Sequence, residues 1–107
     1  MLSLKPGVSI SRIQPQMVLG LISINSIFEV HGYDLVLTSV CDGRHKIDSR
    51  HYSGNAVDLR IWSIGGSDVE HLVSSIRRAL GADFDVVLEV DHIHVEYDPK
   101  HQLQPSL

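Results

Sequence analysis

The chain has 107 residues, with nine Lys and Arg against thirteen Asp and Glu and a formal charge of −4. That length fits one domain over 1–107, because a second would be left with fewer than about 50 residues and too small a core. An acidic balance argues against sequence-independent nucleic-acid binding, which needs a cationic face, and the single Cys41 excludes an intramolecular disulfide.

Met1 to Gly7 lacks the apolar core and small-residue cleavage site of a signal peptide. The longest apolar stretch, Met17 to Phe28, is broken by Ser23, Asn25 and Ser26 and is too short to span a bilayer. The expectation is a protein with no membrane contact that is made and left in the cytoplasm. Work outside the membrane would then need another route of release.

Pro15 suits the first turn of a helix, where a missing N–H costs nothing. Val18, Leu19, Leu21, Ile22, Ile27 and Phe28 follow at helical spacing, and His31-Gly32 closes the helix. Leu35 to Ser39 is a short β-branched run that reads as a buried strand. Cys41 to Asn55 reads as a loop, and Ala56 to Ile61 as a second strand. Ser67 and Glu70 stand at capping-box spacing. They precede a stripe of Val69, Leu72, Val73, Ile76 and Leu80 that ends at Gly81. Asp85 to Leu88 and His92 to Tyr97 read as a hairpin, and the tail His101 to Leu107 as frayed. The order α-β-β-α-β-β predicts an α+β fold, with a mainly antiparallel sheet and helices on one side.

Seven histidines are the compositional oddity, and histidine is the commonest metal ligand. Two segments concentrate the chemistry. In Ser49-Arg-His51-Tyr-Ser-Gly54-Asn-Ala56-Val-Asp58 an imidazole and a carboxylate lie seven residues apart across a glycine. Both are zinc ligands. Ala56 shares the strand face of Asp58 and leaves room beside it. In Glu89-Val-Asp91-His92-Ile-His94-Val-Glu96, strand alternation turns His92, His94 and Glu96 one way. Ile93, Val95 and Tyr97 turn the other way, toward a core. Together the segments offer carboxylates and imidazoles from separate strands, the donor set of a catalytic zinc with an open position for water.

Ser49-x-His51-x-x-Gly54-x-Ala56-x-Asp58 followed by Asp91-x-x-His94-x-Glu96 resembles the D-alanyl-D-alanine carboxypeptidase family of zinc peptidases. That family includes D-Ala-D-Ala dipeptidases and the L-alanyl-D-glutamate endopeptidases of bacteriophage endolysins, and the hedgehog signalling domain shares its fold. The resemblance covers roughly Leu35 to Tyr97. It implies a hedgehog/DD-peptidase-like α+β fold, a Zn2+ ion held by His51, Asp58 and His94, and Asp91 as general base and acid. Its substrate would be peptidoglycan peptide. The family also places an arginine after a Thr-Ser at a strand end. Here Thr38-Ser39 makes Arg44 the candidate for the oxyanion, two residues later than the usual spacing, with Arg60 and Arg50 as fallbacks. A shifted register, with Glu89 as base and His92 as ligand, is the alternative to Asp91 and His94. The Asp91 role requires a turn or bulge, because in an unbroken strand Asp91 faces away from His94. The resemblance also suggests a phage or prophage enzyme, released by a holin or carried in a virion.

Other residues have plainer readings. His92 reads as a cleft residue. Glu96 either orients a zinc-bound imidazole or pairs with a lysine. Cys41 reads as a small buried hydrophobe, and Trp62 as core or rim packing. His31, His45, His71 and His101 have no assigned role. Two rival functions stand beside the peptidase: an inactive zinc-binding module of the same fold, and a metal-free protein whose polar strand face binds a partner.

Overall fold

The computed structural model describes residues 1–41 and 53–99. Seven elements run through them: β1 (Leu2–Leu4), α1 (Pro15–Val30), β2 (Leu35–Ser39), β3 (Ala56–Arg60), α2 (Gly66–Leu80), β4 (Phe84–Leu88) and β5 (His92–Tyr97). The five strands form one sheet in the order β1-β2-β3-β5-β4. β1 runs parallel to β2, and every other pairing is antiparallel. The fold is α+β, as the sequence predicts, with a mixed sheet.

Strand alternation sorts the sheet into two faces. Leu35 and Leu37 of β2, Val57 and Leu59 of β3 and Ile93 and Val95 of β5 are all buried and join one core. Met17, Leu21, Ile24 and Phe28 of α1 and Val69, Leu72, Val73 and Ile76 of α2 complete it. Both helices therefore cover the same face. Each fully buried aliphatic side chain contributes roughly 1.5–3 kcal/mol by leaving water. The opposite face carries Thr38, Asp58, Arg60, His92, His94 and Glu96, and no helix of the described residues covers it.

Local chemistry sets the element ends. Pro15 occupies the first turn of α1, and the helix closes at His31, whose Nδ1 lies 2.9 Å from the Ile27 carbonyl oxygen. Gly32 follows at φ +83, a conformation L side chains rarely adopt. The start of α2 differs from the capping box expected of Ser67 and Glu70. The N-cap is Gly65, no side chain caps it, and Ser67 lies inside the first turn. Asp68 supplies the negative charge that a helix N-terminus favours, and its carboxylate accepts from the Tyr33 hydroxyl just beyond α1. At the other end, the Arg77 guanidinium donates two bonds to the Val86 carbonyl, at 2.8 and 3.1 Å, and ties α2 to β4.

Three features shape the polar face. β2 has a bulge opposite β3: Leu37 pairs with Leu59 but Ser39 pairs with Asp58, so Thr38 is the extra residue. β4 and β5 join through a short turn in which the Glu89 N–H donates to the His92 carbonyl at 2.9 Å. Gly54 enters β3 at φ +77 with its backbone pressed against Arg12. A Cβ there would sit 1.8 Å from the Arg12 carbonyl oxygen. The Gly54 carbonyl in turn accepts from the Gln14 N–H at 3.0 Å. No helix among the described residues is long and apolar enough to cross a membrane.

Candidate metal centre

The site begins with a register. β3 and β5 pair so that Asp58 lies directly opposite His94, Ala56 opposite Glu96, and Arg60 opposite His92. Directly opposed residues on one face bring their Cβ atoms to about 5 Å. Asp58 Oδ1 consequently lies 2.9 Å from His94 Nδ1, and Glu96 Oε1 lies 2.8 Å from His94 Nε2. The imidazole is thus clamped edge-on between two carboxylates. Glu96 bonds the His94 imidazole, the contact that the first of its two sequence readings needs.

The clamp favours the charged ring. The Asp58 hydrogen bond raises the His94 pKa most, burial works against it, and Glu96 adds to the rise; the value is about 9. Both ring N–H groups donate in that state. Replacing the Nδ1 proton by a metal ion leaves Nε2–H on Glu96, which fixes tautomer and ring orientation as a metal ligand requires.

Two of the three expected donors stand close to the spacing of a zinc pair. Two tetrahedral ligands at the usual Zn–N and Zn–O lengths stand about 3.3 Å apart. The Asp58 and His94 donor atoms are 2.9 Å apart, so a few tenths of an ångström of spreading admits the ion. His92 approaches the same oxygen less closely, with Nε2 3.6 Å from Asp58 Oδ1. Its Nδ1 pairs with Asp91 Oδ1 at 2.7 Å.

Above these groups lies a cleft of about 560 Å³. Lys5 lines it from the end of β1, Asp58 and Arg60 from one face of β3 with Trp62 following, and Asp91 and His92 from the start of β5. Thr38 and Ser39, at the β2 bulge, lie between Lys5 and Asp58. Asp91 precedes β5 in the hairpin turn and reaches the rim with its side chain 84% exposed. The turn that its proposed role requires is present. Glu89, of the alternative register, lines a different depression beyond Trp62. The Arg60 guanidinium lies over the Trp62 ring at 4.8 Å from its centroid. Trp62 itself is 77% exposed, so it is a rim residue and not part of the core.

His51, Arg44 and Arg50 lie outside the described residues. Cys41 is buried, as its plain reading has it. Lys5 carried no signal in the sequence, since only the pairing of β1 with β2 brings it to the cleft. A second acidic group on the same sheet face, Asp85, Glu96 and Asp98, could also hold a metal ion. Glu96 belongs to both arrangements, because its Oε1 bonds His94. No family model matches the chain, and no curated protein and no solved structure matches it.

Proposed function

We propose that this chain is a zinc-dependent peptidase that hydrolyses a peptide bond in peptidoglycan peptide, of the D-Ala-D-Ala carboxypeptidase or L-Ala-D-Glu endopeptidase type. The observation that carries the reading is the convergence of Asp58 Oδ1 and His94 Nδ1 at 2.9 Å on neighbouring strands, at the side of an open cleft. These are two of the three residues that the motif marks as ligands. His51, the third, stands seven positions before Asp58. In this reading the fold is of the hedgehog/DD-peptidase kind.

Asp58, His94 and His51 would hold the ion, with Glu96 keeping the His94 ring in place. Zinc in such a site supplies Lewis acidity toward a scissile carbonyl and brings the pKa of bound water toward 7. Asp91, at the cleft rim, takes the proton of the attacking water and passes it to the leaving amine. Arg44 stabilises the oxyanion. Delivery to the wall falls to a holin or a virion.

The test is a digest of purified peptidoglycan by the zinc-loaded protein, read by mass spectrometry. Release of D-alanine or of stem peptides cut after L-alanine is the expected result. Intact peptidoglycan after prolonged digestion, with zinc bound, would leave the inactive zinc-binding module as the better account.

A further inference from the structure

The two helices differ on the side turned away from the core. α2 presents Glu70, His71, Arg77 and Arg78 there and keeps its apolar stripe inside. α1 has a single charged residue, Glu29, and is apolar well beyond the stripe it buries. Val18, Leu19 and Ile22 stay 43%, 67% and 63% exposed. A helix that is apolar on more than one side is ordinarily covered on more than one side. Beside α1 runs β1, whose Leu2 and Leu4 are exposed as well. Between the two elements lies a groove of about 340 Å³. Leu2, Leu4, Ile10, Val18 and Ile22 are among its walls, and no charged side chain lines it.

β1 is also an edge strand. The Leu35 N–H donates to the Met1 carbonyl and the Lys5 N–H to the Leu37 carbonyl, each at 2.9 Å. The odd-numbered residues therefore bond β2. Alternation turns the N–H and C=O groups of Leu2 and Leu4 outward, where no strand of the described residues meets them. Such an edge is a template for another strand, and this one is self-complementary. In an antiparallel pairing centred on Ser3, Leu2 of one protomer exchanges both backbone bonds with Leu4 of its partner, and Leu4 with Leu2. The two-fold axis then stands perpendicular to the sheet. Both α1 helices fall on one side of it and run antiparallel, with the groove residues Val18 and Ile22 at the seam. Lys5 comes opposite Met1 of the partner. The Met1 ammonium lies 3.3 Å from both Glu29 and Asp34. Two carboxylates against one ammonium leave a negative charge, which the lysine offsets.

We propose that the chain pairs with a second copy of itself through β1 and α1, in a two-fold dimer whose sheets join into one. The face is large enough. Sixteen residues make α1 about 24 Å long. A helix diameter and two strand spacings give the strip a width of about 20 Å, hence roughly 500 Å² in projection and more in accessible surface. Specific dimers bury about 600–1,000 Å² per partner. The face therefore suits a dimer at the lower end of that range, with a dissociation constant in the micromolar region. Both clefts open on the same face of the joined sheet. The assignment depends neither on zinc nor on the peptidase reading.

Sedimentation velocity of the full chain, from about 1 to 300 µM, reads the association. The mass is expected to rise from 11.9 kDa toward twice that value. Ile22→Glu places a charge on an exposed position of the seam, so it should stay monomeric throughout while its unfolding midpoint in dilute solution holds. Cross-linking reads the register. Ser3 faces its own copy as a non-hydrogen-bonded pair, with Cα atoms about 4.5 Å apart, a separation a disulfide spans. Under mild oxidation Ser3→Cys should form covalent dimers about tenfold faster or more than Arg78→Cys, an exposed position on α2 far from the seam. A wild type that stays monomeric at every concentration would overturn the dimer. So would association undiminished in Ile22→Glu, or cross-linking no faster at Ser3→Cys than at Arg78→Cys. A monomer whose Leu2 and Leu4 amides resist hydrogen exchange would also overturn it, since the edge would then be covered by the chain itself.

Discussion

In the proposed site, zinc and a proton would compete for one atom of His94. In the metal-free chain the ring keeps its proton up to a pKa of about 9, chiefly through the Asp58 hydrogen bond, against burial and with help from Glu96. Zinc must displace the Nδ1 proton to bind. Below the pKa, apparent affinity therefore rises about tenfold per pH unit. Between pH 7 and pH 8 a group titrating at about 9 gives roughly a ninefold rise, whereas an unperturbed imidazole at 6.5 gives only about 1.3-fold. Competition against a chromophoric chelator at several pH values reads the slope. Calorimetry in two buffers of different ionisation enthalpy counts the proton released, close to one per zinc at pH 7. Glu96→Gln keeps an acceptor but removes a charge, so it lowers the His94 pKa and flattens the profile. A wild-type affinity that changes less than about twofold from pH 7 to pH 8 would refute the clamp as the seat of binding. The same proton acts on stability with a definite sign. A folded pKa raised from 6.5 to about 9 stabilises the metal-free fold fully below 6.5, and that contribution disappears as the pH climbs through 9. The urea midpoint of the metal-free chain should fall over that window, and His94→Ala should remove the fall.

Three further outcomes follow from the geometry. Gly54→Ala forces a side chain into positive φ and onto the Arg12 carbonyl at 1.8 Å, and should cost on the order of 3 kcal/mol in chemical denaturation; a loss below about 1 kcal/mol would contradict that close approach. Leu59→Ala empties a fully buried position between Leu37 and Ile93, so denaturant unfolding should show a loss of about 2–5 kcal/mol. Asp91→Ala leaves the metal ligands intact, so zinc content should hold while hydrolysis of peptidoglycan is lost; an unchanged rate would remove Asp91 from the mechanism.

Much of the fold was legible because it is local. Pro15 and Gly32 bracket α1, the 3.6-residue stripe marks α2, and alternation in His92 to Tyr97 separates a polar from an apolar face. What was not legible depends on distant partners. β1 is three residues long and has meaning only against Leu35 to Leu37. Because Lys5 follows β1, its place at the cleft was invisible as well. The Ser67 capping box matched a spacing, but the helix begins at Gly66 and Asp68 is committed to Tyr33, 35 positions away. Trp62 looked able to serve as core because its size favours burial, yet Arg60 beside it holds the ring at the rim. For the site, residue types on two strands were readable, but the register that sets Asp58 against His94 was not. Nothing local to either segment encodes which residue of one strand meets which residue of the other.

The central claim is that one zinc sits between Asp58 and His94. Elemental analysis of the purified, zinc-reconstituted chain tests it most directly, beside Asp58→Asn, His94→Ala and His92→Ala. The account predicts about one zinc per chain in the wild type. Asp58→Asn and His94→Ala should lose the ion and His92→Ala should keep it. A wild type that retains no zinc, or a His94→Ala variant that retains it in full, would contradict the account.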